Sequence, residues 1–263
     1  MNKLQSLLVL GAMALPCVPV WAQAAPALKG CASHTPPFMI FKDKKAEAGF
    51  SYELFLEIAR QLGRSAEVSA LPWARCLQEV KAGRIDMAID AYGDAQRRKT
   101  YWYSTPYYTL TPQVFFRSKS SFTPASAGTA STLKAYRGCG VREYTYEHYG
   151  LDANAMDRGA PDDRSMLLKL NAGHCDYAVE ELEYIVGGRN YVPNWLDESE
   201  LKSFRPAWAK GPQTHFLIGK ERHGAENLLR QVNQAIAASD KSGLTASLAK
   251  RYLEAADKPP KKH

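Results

Sequence analysis

Lys81-Ala82-Gly83-Arg84-Ile85-Asp86-Met87-Ala88-Ile89-Asp90 is echoed further along the chain by Asn171-Ala172-Gly173-His174-Cys175-Asp176-Tyr177-Ala178-Val179-Glu180. In each copy an amphipathic run ends in Ala-Gly, a tight turn carries an aspartate, and a short apolar run ends in a carboxylate. Glycine just past an apolar-periodic run is a helix stop, because it accepts the left-handed backbone that ends a helix. The apolar run after it reads as a buried strand. The upstream positions also correspond, with Leu77 and Val80 against Leu167 and Leu170. Two copies of one helix–turn–strand unit predict two lobes of similar build.

Outward from the echo, residues 50–62 predict a helix. Tyr52, Phe55, Leu56, Ile58, Ala59 and Leu62 recur at helical spacing, Ser51 is placed to cap its start, and Gly63 lies just past its end. A second helix is expected over residues 73–82, followed by a buried strand over 85–89. Residues 215–218 predict another strand, and 225–252 one or two closing helices with Leu228, Val232, Ile236, Leu244 and Leu248 on the apolar face. This alternation predicts an α/β fold of two lobes, each a mixed, mostly parallel sheet flanked by helices. Residues 112–118 and 205–215 read as the two connections between the halves. Lobe one then takes residues 27–113 and 214–255, and lobe two takes 114–213.

The ends read differently. Lys3, the apolar run of residues 7–15 and the small-residue site Ala22-Gln23-Ala24 form a secretory leader over residues 1–24, which predicts a periplasmic protein. No run approaches the roughly 18 apolar residues that a membrane span requires. The tail, residues 256–263, is polar and expected to be disordered. The formal charge is +7, but Lys and Arg are interspersed with acids rather than massed in a stripe, which argues against nucleic acid as a partner. Without Cys17 of the leader, four cysteines remain, an even number in an exported chain, which suggests disulfides. Four cysteines allow three pairings, and chain order favours Cys31 with Cys76 and Cys139 with Cys175.

Several short motifs then appear in order. Thr35-Pro36-Pro37-Phe38 is followed by Gly49-Phe50-Ser51-Tyr52-Glu53-Leu54, by Trp73 with Leu77, Ala82-Gly83 and Asp86, and by Arg97 with Tyr103-Ser104-Thr105-Pro106-Tyr107. In this order and spacing the chain resembles the extracellular solute-binding proteins of polar amino acid importers, over residues 28–253. The resemblance implies a type II periplasmic binding fold whose two lobes close on a small polar, amino-acid-like ligand. It implies delivery to a membrane importer permease by a monomer without cofactor or metal.

In open α/β sheets, ligands lie beyond the carboxyl ends of the strands. Asp90 and the Glu180-Glu181 pair sit at such ends, facing a shared cleft or capping the helices that follow. The resemblance implies that Arg97 grips the ligand's carboxylate, for which its planar fork suits both oxygens. Glu181 falls where the family carries an acid for the ligand's amino group. Thr145 matches loosely a threonine at a helix start, where free N–H groups favour an anion; the surrounding Glu143-Tyr144-Thr145-Tyr146 departs from the usual Gly-Thr-Thr, and Tyr144 adds bulk. Phe38, Trp73 and Tyr92 supply candidate apolar or cation–π walls. Tyr92 would narrow the pocket, while Asp90 and Asp94 would make it more acidic, which points to a cationic ligand or to one that is not an α-amino acid at all. Two other functions use the same scaffold: a dehydratase-like enzyme with Glu180 or Glu181 as general acid, and a receptor feeding a sensor. The histidines are isolated in sequence and read as structural.

Overall fold

The computed structural model describes residues 25–125, 128–191 and 201–253. The expected leader and tail lie outside them. The chain opens with β1 (Leu28–Ala32), β2 (Ile40–Lys42), β3 (Lys45–Ala48), α1 (Phe50–Gln61), β4 (Ala66–Ala70), α2 (Trp73–Lys81), β5 (Met87–Tyr92), the single turn α3 (Arg97–Thr100), β6 (Tyr101–Tyr103) and β7 (Tyr108–Thr109). It then builds β8 (Pro112–Arg117), α4 (Ala130–Leu133), β9 (Gly138–Val141), β10 (Asp157–Ala160), α5 (Asp163–Asn171), β11 (Tyr177–Glu181), α6 (Leu182–Tyr191) and β12 (Leu201–Phe204). Finally β13 (Gln213–Gly219) returns to the first sheet, and α7 (Ala225–Lys241) and α8 (Leu244–Tyr252) pack against α1.

The first sheet runs β2-β3-β4-β1-β5-β13-β6, with β7 also on β13; the second runs β10-β9-β11-β8-β12. Within the first, β1 lies parallel to β4 and β5, while β13 is antiparallel to β5. Within the second, β11 is parallel to β9 and antiparallel to β8. Both sheets are therefore mixed and flanked by helices, as expected, but they are not mostly parallel: the β2–β3 hairpin and the returning β13 enter antiparallel, and four of the eleven strand pairings among the described residues are parallel. Each sheet with its helices forms a lobe. Residues 112–118 are not a connection, contrary to expectation. Pro112–Arg117 is a strand bonded on one side to β11 and on the other to β12. Its five leading residues are buried, as a central strand covered on both faces must be.

The echoed stretches have one physical cause. Gly83 and Gly173 take left-handed backbones, at φ 69° and 82°, just past the ends of α2 and α5. The Asp86 N–H then donates to the Lys29 carbonyl at 3.0 Å, and the Lys29 N–H donates back to Asp86 Oδ2 at 2.9 Å. Asp176 repeats the exchange with Arg137, at 2.8 Å and 2.9 Å. Each aspartate thus fastens its incoming strand to β1 or to the start of β9. Arg64 and Arg222 clamp Asp86 at 2.9 Å and 2.6 Å, and Arg137 pairs with Asp176 at 3.0 Å.

The bridges are Cys31–Cys76, with Cα atoms 5.6 Å apart, and Cys139–Cys175, at 5.8 Å. Both separations suit a disulfide. Cys31 and Cys139 sit at equivalent places, two residues past Lys29 and Arg137, but their partners differ: one lies on α2, the other in the turn before β11. Alkylation of the denatured, unreduced protein followed by peptide mass spectrometry is expected to leave all four unmodified. Labelling of any of them eliminates its bridge.

Helix α1 differs from expectation at its start. Gly49, at φ 130°, takes the N-cap position without a side-chain bond, and Ser51 lies inside the helix, fully buried. Its hydroxyl is turned to the site described next.

Candidate functional site

Between the lobes lies a cleft of about 410 Å³, part of it open to solvent. Lobe one lines it with Trp73, Asp90, Tyr92 and Arg97, and lobe two with Tyr144 and Thr145. Ser33, Thr35, Ile89 and Tyr184 complete the wall, and none of the four is read from the sequence as a site residue. Phe38 and Glu181, both expected in the wall, do not line it.

Asp90 lies within β5, not at its end, with a left-handed backbone at φ 66°. This conformation is uncommon for a residue other than glycine and signals a constraint at a functional place. The surroundings supply that constraint. The Asp90 N–H donates to the Tyr107 hydroxyl at 2.9 Å, which donates back to Asp90 Oδ1 at 2.8 Å. The Ser51 hydroxyl donates to the same oxygen at 2.5 Å. Oδ1 is saturated, whereas the buried Oδ2 has no partner among the described residues. Burial lifts the carboxyl to about 6, against the pull of the two hydroxyls.

Arg97 begins α3, where its N–H is held by Asp94 Oδ1 at 2.5 Å. Asp94 is thus occupied outside the cleft wall. The Arg97 guanidinium lies 5.7 Å from the centre of the Trp73 ring, a cation–π distance, and donates through Nη2 to the Glu143 carbonyl of lobe two. Its contacts are a ring face and a carbonyl, so its charge is not neutralised by them. Thr145 places a buried hydroxyl without a partner in the same cleft. The helix-start argument for Thr145 fails, however: only a three-residue 3₁₀ turn, Glu147–Tyr149, follows it. Such a turn aligns too few peptide dipoles to cradle an anion.

Glu181 is only 1% exposed and fully engaged behind the wall. Its Oε2 accepts from the Tyr92 hydroxyl at 2.5 Å. Its Oε1 meets His148 Nε2 at 2.8 Å and the Tyr149 hydroxyl at 3.3 Å. Burial by itself would lift this carboxyl, but the His148 bond and charge, helped by Glu180 and Tyr92, bring it down to about 2. His148 is therefore not isolated, as its place in the sequence suggested. Glu180, one residue earlier, is buried beside it, its Oε1 accepting from the Glu181 N–H at 3.0 Å. There it meets Asp163, and burial raises both carboxyls, Asp163 to about 7. Phe38 is core: it is wholly buried, its ring 5.8 Å from Phe50 and 4.9 Å from Tyr184.

The sequence profile of the bacterial extracellular solute-binding proteins, family 3, matches residues 29–255. The chain belongs to this family. Among curated relatives, this solute-binding protein is 26% identical over 235 residues to the L-cystine-binding protein TcyJ of Escherichia coli strain K12, covering 87% of this chain and 82% of that one. It is 27% identical over 231 residues to the membrane-bound lytic murein transglycosylase F of Pseudomonas putida strain W619, covering 82% of this chain but only 44% of that enzyme. Among solved structures, the substrate-binding protein of an amino acid ABC transporter superposes with a TM-score of 0.70 at 21% identity, covering 88% of this chain and all of the other. That likeness shows the two-lobed fold. No helix among the described residues of this solute-binding protein is long and apolar enough to cross a membrane.

Proposed function

We propose that this solute-binding protein captures an amino-acid-like molecule in the cleft, its carboxylate on Arg97 and its ammonium on Asp90, and hands it to an importer in the membrane. The observation that carries the reading is Asp90 Oδ2, a buried carboxylate oxygen without a partner among the described residues, in the same wall as the Arg97 guanidinium. Buried polar groups left unpaired are costly, so such an oxygen calls for a donor from the ligand. Trp73, Tyr92, Tyr144 and Tyr184 supply aromatic wall on either side. The relatives named for cystine and amino acid binding agree with this chemistry. Catalysis by Glu180 or Glu181 is disfavoured: neither lines the cleft, and Glu181 is held ionised, unfit as a general acid. A lone carboxylate and an arginine are a grip rather than a reacting pair.

Mass spectrometry of the small molecule that copurifies with the protein tests the assignment first. A ligand that binds only the folded state raises the melting temperature, so a panel of amino acids, polyamines and organic acids should contain a stabiliser bearing both an ammonium and a carboxylate. A stabiliser lacking either group would contradict the two-point grip.

The Asp90 carboxyl also sets a pH dependence. It must be ionised to accept an ammonium. Affinity is therefore expected to be level above about pH 6 and to fall about tenfold per pH unit below it. Asp90→Asn should bind more weakly at neutral pH and lose this slope. The empty protein has the opposite sign. Folded Asp90 holds its proton more tightly than unfolded Asp90, so its contribution to stability is present below about pH 4 and lost as pH rises through about 6. Asp163 and Glu180 act in the same direction. Calorimetry on wild type and Asp90→Asn between about pH 7 and 4.5 reads the binding slope. Equal slopes in the two proteins would remove Asp90 from the grip.

A further inference from the structure

We propose that Tyr92 and Glu181 form a latch that holds the two lobes together with the cleft empty. Tyr92 stands on β5 in lobe one and Glu181 on β11 in lobe two, so the 2.5 Å bond from the Tyr92 hydroxyl to Glu181 Oε2 crosses the interface between them. Among the described residues, the other side chains bonded to Glu181 belong to lobe two: His148 at 2.8 Å, Tyr149 at 3.3 Å and the adjacent Glu180. Lobe two thus brings a preformed carboxylate–imidazole pair, and lobe one brings a single donor to complete it. The Tyr92 ring meets the His148 ring edge-on, with centroids 5.8 Å apart, which fixes the hydroxyl's direction. With Tyr92 8% exposed and Glu181 1%, the bond is made away from water, where a hydroxyl on a carboxylate is at its strongest.

Other contacts around the latch close the same interface. Tyr184 of α6 packs on Phe38 of lobe one within the first lobe's core. Gly187 of α6 stands so close to Pro37 that an added Cβ would lie 2.1 Å from Pro37 Cδ. The Arg97 guanidinium reaches the Glu143 carbonyl across the gap. None of these contacts needs a solute. Both charges assigned above to the solute, Arg97 and Asp90, belong to lobe one, whereas the acid that lobe two could have offered is engaged by Tyr92. Tyr92 and Glu181 are thus positioning residues. They set the distance between the lobes, and the solute is gripped from one side.

Small-angle scattering of the solute-free protein tests the latch. Bound solute is removed by unfolding with the disulfides intact and refolding under dilution. The wild type is expected to stay compact. Tyr92→Phe, which keeps the ring and deletes one hydroxyl, should shift the radius of gyration upward, toward the value of Gly187→Ala, in which a methyl wedged against Pro37 forces the lobes apart. Because the phenylalanine ring preserves the packing, a shift reports the hydrogen bond. A Tyr92→Phe protein as compact as wild type overturns the latch. So does a solute-free wild type already as extended as Gly187→Ala, a result that needs no other variant. Neither outcome bears on Arg97 and Asp90, since no solute is present in the measurement.

Discussion

Replacing Arg97 with alanine is expected to weaken binding of the stabilising amino acid by roughly 2–5 kcal/mol, more than tenfold in affinity. The size follows from what is left behind. A guanidinium offers two parallel N–H groups to both carboxylate oxygens, and among the described residues the Arg97 side chain spends one hydrogen bond, from Nη2 to the Glu143 carbonyl. The Trp73 face at 5.7 Å holds the plane in place before the solute arrives, so little side-chain freedom remains to be lost on binding. Alanine at this position leaves the solute's carboxylate inside the cleft without a counter-charge. Arg97→Lys should fall between the two, because an ammonium keeps the charge and loses the fork. The empty protein should melt almost unchanged, since the side chain makes one hydrogen bond and one ring contact with the fold. Calorimetric titration decides the matter: an affinity equal to wild type would strip Arg97 of its role.

The second large effect is on stability. His148→Ala is expected to destabilise the empty protein by about 1–3 kcal/mol, the usual cost of leaving a buried carboxylate short of a hydrogen-bond partner. Glu181 would stay 1% exposed, with the Tyr92 and Tyr149 hydroxyls and the neighbouring Glu180 carboxyl left to answer its charge. Part of the loss should return when Glu181 is changed to leucine in the same chain, because an apolar side chain leaves no buried charge unanswered. Urea titration gives the value, with the midpoint falling and the slope held constant. A loss below about 1 kcal/mol would mean that the pair is answered by water.

Much of this molecule is legible in its sequence, for identifiable reasons. The echo is local. Ala-Gly stops, the aspartate after each and the apolar run that follows fall within ten residues, and the bonds of Asp86 and Asp176 explain why both copies keep them. Arg97, Trp73 and Tyr144 can be picked out because each belongs to a short motif or its near departure. Glu181 and Phe38 cannot be placed in this way. Whether a strand-end acid faces a ligand or a neighbour depends on Tyr92, 89 residues away in sequence, and on His148, 33 residues away. Phe38 is claimed by the core through Tyr184, from the other lobe. Ser51 has the chemistry of a cap, yet the N-cap of helix α1 is Gly49, and the hydroxyl is turned instead onto Asp90, 39 residues on. Residues 112–118 lead into a Ser/Thr/Pro/Gly-rich stretch, which disguises a strand with partners on both sides.

The two sulfur bridges each stitch a half to itself: Cys31 to Cys76 beneath the first sheet, Cys139 to Cys175 beneath the second. Among the described residues, the covalent links between the halves are two stretches of backbone, at the step from β7 to β8 and again from β12 to β13. Oxidation can therefore harden each jaw without welding the mouth shut. Reducing the protein should soften the jaws while leaving their freedom to rock against each other unchanged.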